Sequence, residues 1–267
     1  TWLALVLKTA FALIGMGAYI RIFWPDVPVV TLAIILAVFF GVINFFGARK
    51  TGTVQVFMVI ALLLILFVFI GEGLPQINLQ NFDGFFDKGG VSIISTAGLV
   101  YISYVGITNI ASVAEEIENP GRNLPLGVFL AIATAIAVYA LGTTIMVGVL
   151  PAEKLAQDLT PVASAAEVLF GNWGKIGVTF AAVIAFASVA NAGILSASRY
   201  PLAMSRDHLI PEKFSKLTPR NIPHYGIAVT VGLIILLVMS FDIASIAKLA
   251  SAFQLMMFSL KNILELV

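Results

Sequence analysis

The side chains best suited to hold a small polar ligand lie inside an otherwise apolar stretch. Residues 95–109 read Ser-Thr-Ala-Gly-Leu-Val-Tyr-Ile-Ser-Tyr-Val-Gly-Ile-Thr-Asn. Glycine costs about 1 kcal/mol relative to alanine inside a helix, and polar side chains at membrane depth are expensive unless they face protein or water. Both costs fall if the backbone unwinds near 103–106, where non-helical backbone would line a cavity. The segment therefore favours a broken helix with a ligand at the break.

The free ends of such a break would suit a zwitterion. The carbonyl groups that end the first half-helix would attract an ammonium group. The N–H groups that begin the second half, near Ile107 and Thr108, would favour an anion or an oxygen. A second interpretation stays open, because glycine in membrane helices often serves only close packing. Under it, Tyr101 and Tyr104 simply share a helix face and pack on a neighbour.

Charged residues after this segment could form a gate. Glu115 and Glu116 follow the polar stretch, and Arg199 and Arg206 lie seven residues apart, on one helical face, at the end of a later apolar run. We hypothesise that one arginine pairs with one of the glutamates when the cytoplasmic side is closed. The alternative is that the glutamates belong to a solvated helix end before Asn119-Pro120.

Two further polar residues, Ser188 and Asn191, could line an ion or substrate route, although helix packing through small residues also explains them. His208 and His224 are separated by 16 positions, and no metal, phosphate or dinucleotide motif is present. We therefore predict no catalytic residue, no metal site and no cofactor. Coupling to protons, to sodium or to a counter-substrate stays open.

The elements that must position these residues are predicted from long apolar runs. Of the 267 residues, 60% are apolar and 11% charged, with a mean hydropathy of +1.04. This composition excludes a soluble enzyme, which would carry about 25% charged residues, and a net charge of +1 provides no basic surface for nucleic acid. A helix needs about 20 apolar residues to cross a bilayer. Eight runs approach that length: 2–20, 27–46, 54–70, 91–113, 125–150, 173–203, 225–240 and 243–260.

The sequence thus predicts an all-α, multi-pass membrane protein, a helical bundle forming a single transmembrane domain, with the lipid bilayer as its surroundings. Loops after even-numbered runs hold eight Lys and Arg residues and the other loops hold four, which places the even loops in the cytoplasm. Thr160-Pro161 predicts a short external helix that ends at Gly171. The chain begins and ends in apolar runs and is expected to be truncated at both ends.

Three motifs carry a family resemblance. Tyr104-Val105-Gly106 together with 115–125 (Glu-Glu-Ile-Glu-Asn-Pro-Gly-Arg-Asn-Leu-Pro) resembles helix six and the start of helix seven of the amino acid–polyamine–organocation permeases. Residues 44–50 resemble that superfamily's junction of helices four and five, and residues 196–211 resemble its end of helix eight. On this resemblance the eight runs correspond to helices 3 to 10 of a twelve-helix carrier.

The resemblance implies part of an inverted-repeat fold of five plus five helices with a broken helix at the substrate. It implies that backbone carbonyls around Ile102, Ser103 and Tyr104 hold the substrate amino group. Gly106 would give the backbone its turn. The remaining expected substrate residues are Ile107, Thr108 and Asn109, with Tyr101 or Tyr104 as an aromatic gate. The family often has an acidic residue at the position of Thr108, so its absence weakens the case for cationic substrates.

The sequence as a whole predicts a secondary active transporter that moves amino acids across the plasma membrane by alternating access, without covalent chemistry. Two alternatives remain: a polyamine or other organic-cation permease of the same fold, and an ion channel or structural membrane subunit. An intramembrane enzyme is disfavoured, because the clear Asp and Glu residues lie in loops or at the ends of runs. The expected partners are a small amino-acid substrate and the lipid bilayer, with no nucleic acid.

Overall fold

The fold was analysed in a computed structural model that describes residues 2–46, 52–87, 89–101, 103, 119–219 and 221–265. These residues form α-helices and short 3₁₀ turns, and no β-strand occurs among them. The α-helices are α1 (Trp2–Ile20), α2 (Val29–Phe45), α3 (Gly52–Gly73), α4 (Gly89–Val100), α5 (Pro120–Val149), α6 (Ala152–Leu155), α7 (Pro161–Arg206), α8 (His224–Ser240) and α9 (Ile243–Glu265).

Length and composition identify the helices suited to a membrane. Within the described residues, four helices are long and apolar enough to cross one: Trp2–Ile20, Val56–Gln76, Pro120–Val149 and Pro161–Arg206. Shorter apolar helices occupy Val29–Phe45, Gly89–Val100, His224–Ser240 and Ile243–Met257. The predicted all-α membrane fold is confirmed, and each predicted run overlaps an apolar helix among the described residues. The number of spans and the inverted repeat stay predictions.

Two helix starts follow from proline. α5 begins at Pro120, five residues before the predicted run, because proline has no N–H to lose at the first helical position. Asn119 before it has a φ of 49°, and its carbonyl oxygen accepts from the backbone N–H groups of Arg122 and Asn123. Pro161 begins α7 in the same way. Pro125, which was expected to open α5, lies inside the helix instead.

α7 is interrupted at Gly171, as the sequence predicts. This residue has φ 67° and ψ −160°, a conformation in the region that favours glycine. The turn before the helix is held by Asp158, whose Oδ1 accepts from the Thr160 backbone N–H at 2.7 Å and from its hydroxyl at 3.2 Å. Residues 161–170 therefore form a helix of their own before the long apolar part of α7.

The packing divides the chain into two compact units, residues 1–63 with 176–267 and residues 64–175. In the first unit, α1 packs against α2, α8 and α9, and α2 packs against α8. Gly226 lets α8 approach the Ser198 carbonyl of α7 so closely that an added Cβ would overlap the oxygen. Among the described residues, this unit contains most of the buried side chains, including Val6, Leu13 and Ile194.

In the second unit, the connection between α3 and α4 is hydrogen-bonded to the C-terminal end of α5. The Gly148 carbonyl oxygen accepts from the Asn78 backbone N–H and from Asn81 Nδ2, both at 2.9 Å. A Cβ added to Gly148 would collide with Ile77, and one added to Gly73 would collide with Ile145, which is fully buried. The connection between α3 and α4, which includes 3₁₀ turns at Leu74–Gln76 and Leu79–Phe82, is thereby fixed to the end of α5.

Candidate functional site

The first part of the predicted ligand site lies at the end of α4. The α-helical conformation ends at Val100, and Tyr101 and Ser103 have 3₁₀ conformation. Tyr101 is half-buried, whereas Ser103 is exposed. Within α4 the Ser95 and Thr96 hydroxyls donate to the Ser92 carbonyl of their own helix, at 3.1 and 2.8 Å. The hydroxyl hydrogens of Ser95 and Thr96 are therefore already used in hydrogen bonds within α4.

The other predicted substrate residues lie outside the described residues. They are Ile102, Tyr104, Gly106, Ile107, Thr108 and Asn109. The proposed opening of the backbone at 103–106 therefore stays a prediction. The described residues show that the α-helix ends at Val100, three residues before Ser103, where the backbone is first predicted to unwind.

Only the basic half of the predicted gate is described. Arg199 and Arg206 are both exposed, and Arg206 lies in the last turn of α7. Glu115 and Glu116 lie outside the described residues. The ion pair between these two sets of residues stays a prediction from the sequence.

The predicted route residues Ser188 and Asn191 are half-buried on α7, and Asn191 makes an interhelical hydrogen bond. Asn44 on α2 donates from Nδ2 to Asn191 Oδ1 at 2.8 Å. The same nitrogen donates to the Phe40 carbonyl of its own helix, also at 2.8 Å. Asn44 is 1% exposed, and its Oδ1 is buried with no hydrogen-bond partner among the described residues.

The sequence pattern did not predict that Asn44 is the hydrogen-bond partner of Asn191. Its signal in the sequence is a single amide within the apolar run 27–46, where an unpaired polar group would be costly. The identity of its partner, 147 positions later, has no local signal in the sequence.

Other buried polar side chains of the same unit make hydrogen bonds within or between helices. Thr230 Oγ1 accepts from Trp2 Nε1 at 3.3 Å, which links α8 to α1. Thr9 and Ser198 donate to carbonyls of their own helices at 2.7 and 2.8 Å. No group of three or more His, Asp or Glu residues that could hold a metal occurs in the described part of the chain.

The comparison with known proteins identifies the family. The family model described as amino acid permease matches residues 1–267. The chain belongs to the amino acid permease family. The resemblance drawn from its three motifs is thereby confirmed, and the family is one of transporters rather than of enzymes.

Three relatives of this permease chain have names that state a transported class. The vacuolar cationic amino acid transporter 4 of Arabidopsis thaliana is 29% identical over 259 residues, covering 91% of this chain and 42% of the relative. The mitochondrial cationic amino acid transporter 3 of the same plant is 30% identical over 185 residues, covering 69% and 30%. The branched-chain amino acid permease BcaP of Bacillus subtilis is 28% identical over 177 residues, covering 66% and 38%. The chain thus spans less than half the length of these relatives.

Proposed function

We propose that this protein is a secondary active transporter that moves amino acids across a membrane by alternating access. The observation that carries the proposal is the amino acid permease match over residues 1–267. The named relatives support it, because the cationic and the branched-chain transporters share the amino acid as their class of substrate. The many apolar helices support a multi-pass location in the bilayer.

The proposed substrate site is the interrupted segment after α4. Backbone carbonyls around Ile102, Ser103 and Tyr104 receive the substrate ammonium group, because the C-terminal end of a helix carries partial negative charge. Gly106 supplies the turn, and the N–H groups that follow it favour the carboxylate. The end of the α-helical conformation at Val100 supports this assignment.

The decisive test is uptake of labelled amino acids into proteoliposomes by the full-length protein. Gly106→Leu should reduce uptake about tenfold or more, because a bulky side chain resists the turn and fills the ligand space. Gly127→Leu on α5 is a matched control, since nothing lies within 4 Å of the position of its Cβ. Undiminished uptake by Gly106→Leu would refute the site, and absence of saturable uptake by the unmodified protein would refute the function.

The membrane and the substrate range are tested separately. We propose the plasma membrane, although one relative is named vacuolar and another mitochondrial. Fractionation of cells that express a tagged protein would decide between these compartments. Competition by leucine, arginine and a polyamine would separate zwitterionic from cationic substrates; with a neutral Thr108 we expect leucine to compete most strongly.

A further inference from the structure

The connection between α3 and α4 exposes large apolar side chains. Leu79, Phe85 and Phe86 are between 60 and 78% exposed. The rings of Phe85 and Phe86 pack edge to face, with their centroids 5.0 Å apart, so these two side chains form one continuous apolar patch. Single apolar side chains on a protein surface need no explanation, whereas contiguous ones point to a partner surface.

The backbone that carries these side chains forms a series of tight turns. Five backbone N–H groups between residues 81 and 89 each donate to the carbonyl oxygen three residues earlier, at 3.0–3.1 Å. The pairs, with the donor first, are Asn81–Asn78, Asp83–Gln80, Phe85–Phe82, Asp87–Gly84 and Gly89–Phe86. Water can satisfy the backbone of an exposed loop, but a backbone in contact with lipid must satisfy its own polar groups. The turns therefore suit a segment that meets lipid.

The connection is attached to the ends of two apolar helices. α3 leads directly into it, and Asn78 and Asn81 donate to the carbonyl oxygen of Gly148, the second-last residue of α5. In the most apolar stretches of α3 and α5, only 11% and 0% of the residues are buried within the protein. An apolar helix surface of this length that protein does not cover is suited to lipid. The apolar side chains of the connection thus continue that surface at the helix ends, where hydrocarbon gives way to headgroups.

The charges of the connection indicate the kind of lipid surface. Residues 74–88 contain two acidic residues, Asp83 and Asp87, and one basic residue, Lys88, which gives a net charge of −1. Attraction to anionic lipids depends on clusters of Lys and Arg, which this stretch does not contain. Its contact with a bilayer therefore depends on apolar area and suits zwitterionic headgroups.

We propose that residues 79–87 lie in the headgroup region of a zwitterionic phospholipid surface, with Leu79, Phe85 and Phe86 directed towards the acyl chains. Interfacial segments bury their apolar side about 5–10 Å into the boundary between headgroups and acyl chains. The lipid contact also anchors the start of α4, because its first residue, Gly89, donates to the Phe86 carbonyl. This contact does not depend on which substrate is transported.

The test measures the depth of single nitroxide labels on the full-length protein in phosphatidylcholine vesicles. The 267 residues contain no cysteine, so one label can be placed at will once any cysteine beyond them is replaced. Oxygen concentrates among acyl chains and a neutral nickel chelate stays in water, so the ratio of their collision rates with the label reports its depth. Labels at Phe86→Cys and Leu79→Cys should lie about 5–10 Å below the headgroup boundary. Asp83→Cys, exposed in the same connection, is the matched control and should place its label among headgroups or in water.

Three results would overturn the proposal. Equal, high accessibility of the Phe86 and Asp83 labels to the nickel chelate would show that the connection lies in water. A Phe86 label that neither reagent reaches would show that protein, from this chain or from a second copy, covers the patch. Phosphatidylglycerol added to the vesicles should leave the depth unchanged, and deeper labels there would contradict the zwitterionic preference. Phe85→Cys repeats the measurement at the neighbouring ring.

Discussion

α1 and α5 are both long apolar helices, yet they have different surroundings. In the most apolar stretch of α1, 72% of the residues are buried within the protein, and α2, α8 and α9 pack around this helix. In α5 the corresponding value is 0%, and its buried residues, Ile145 and Gly148, lie near its C-terminal end. The two helices cannot be distinguished by apolar composition alone.

The difference shows what holds membrane helices together. Lipid tails are as apolar as leucine, so burial of apolar surface does not select a partner helix. Association depends instead on close approach at small residues and on interhelical hydrogen bonds. The unit that contains α1 has both, at Gly226 and at the Asn44–Asn191 pair. The contacts of α5 are concentrated at its end, where Gly148 accepts two hydrogen bonds.

The largest effect on the stability of the protein is expected from a substitution at Gly226. Gly226→Ala would place a Cβ against the Ser198 backbone carbonyl, which cannot turn aside as a side chain can. Overpacking of this kind costs about 1–3 kcal/mol, and we expect the upper end of that range. The measurement is the free energy of unfolding, or thermal denaturation, of the purified protein in detergent.

Gly127→Ala on α5 is the counterpart, because nothing lies within 4 Å of its Cβ position. It should be neutral or stabilise the helix by up to about 1 kcal/mol. Equal destabilisation by the two substitutions would contradict the proposed difference between the helices.

A moderate effect is expected at Asn44. Asn44→Leu keeps the branching of the side chain at Cγ and removes the hydrogen bond to Asn191, so we expect a loss of about 1 kcal/mol, typical of interhelical hydrogen bonds in membranes. Thr143→Val on α5 is matched to it, since the exposed Thr143 hydroxyl donates only to carbonyls of its own helix, at 2.7 and 3.1 Å. Its effect should be below about 0.5 kcal/mol. A larger loss in Thr143→Val than in Asn44→Leu would reverse the comparison.

The smallest effect on stability is expected at the residues that precede α9 and α5, Asp242 and Asn119. Asp242 Oδ2 accepts from the backbone N–H groups of Ala244 and Ser245, at 3.1 and 3.3 Å, before α9. The hydrogen bond from the Ser245 side chain, followed by those from the backbone, lowers the pKa of Asp242 below its ordinary value of 3.8. Asn119 before α5 makes no such side-chain bond to its helix.

A lowered pKa means that the Asp242 carboxylate stabilises the folded protein above pH 3.8 and that this contribution is lost as the pH falls through the folded-state pKa. Asp242→Ala should therefore lower the melting temperature slightly at pH 6, and the difference from the unmodified protein should shrink below pH 3.8. Asn119→Ala should show no pH-dependent difference. A constant Asp242→Ala difference from pH 6 to pH 3 would argue against the ionised cap.

Local rules account for the elements that the sequence predicted well. The bounds of α1 coincide with the predicted run 2–20, and Gly171 interrupts α7 where its missing side chain allows a positive φ. The start of α5 was missed by five residues, because two prolines in close succession, Pro120 and Pro125, are both compatible with a first turn. Only the earlier proline occupies the first helical position.

The amino-acid sequence by itself determined the membrane class, the apolar helices and the family, since these follow from composition, periodicity and local motifs. It also singled out Asn191, but not what Asn191 does. The tertiary structure decided that Asn44 pairs with it and which polar atom of Asn191 accepts the hydrogen bond. The physical reason is that a hydrogen bond between residues 147 positions apart depends on which helix faces meet, and apolar surfaces in lipid do not encode that choice.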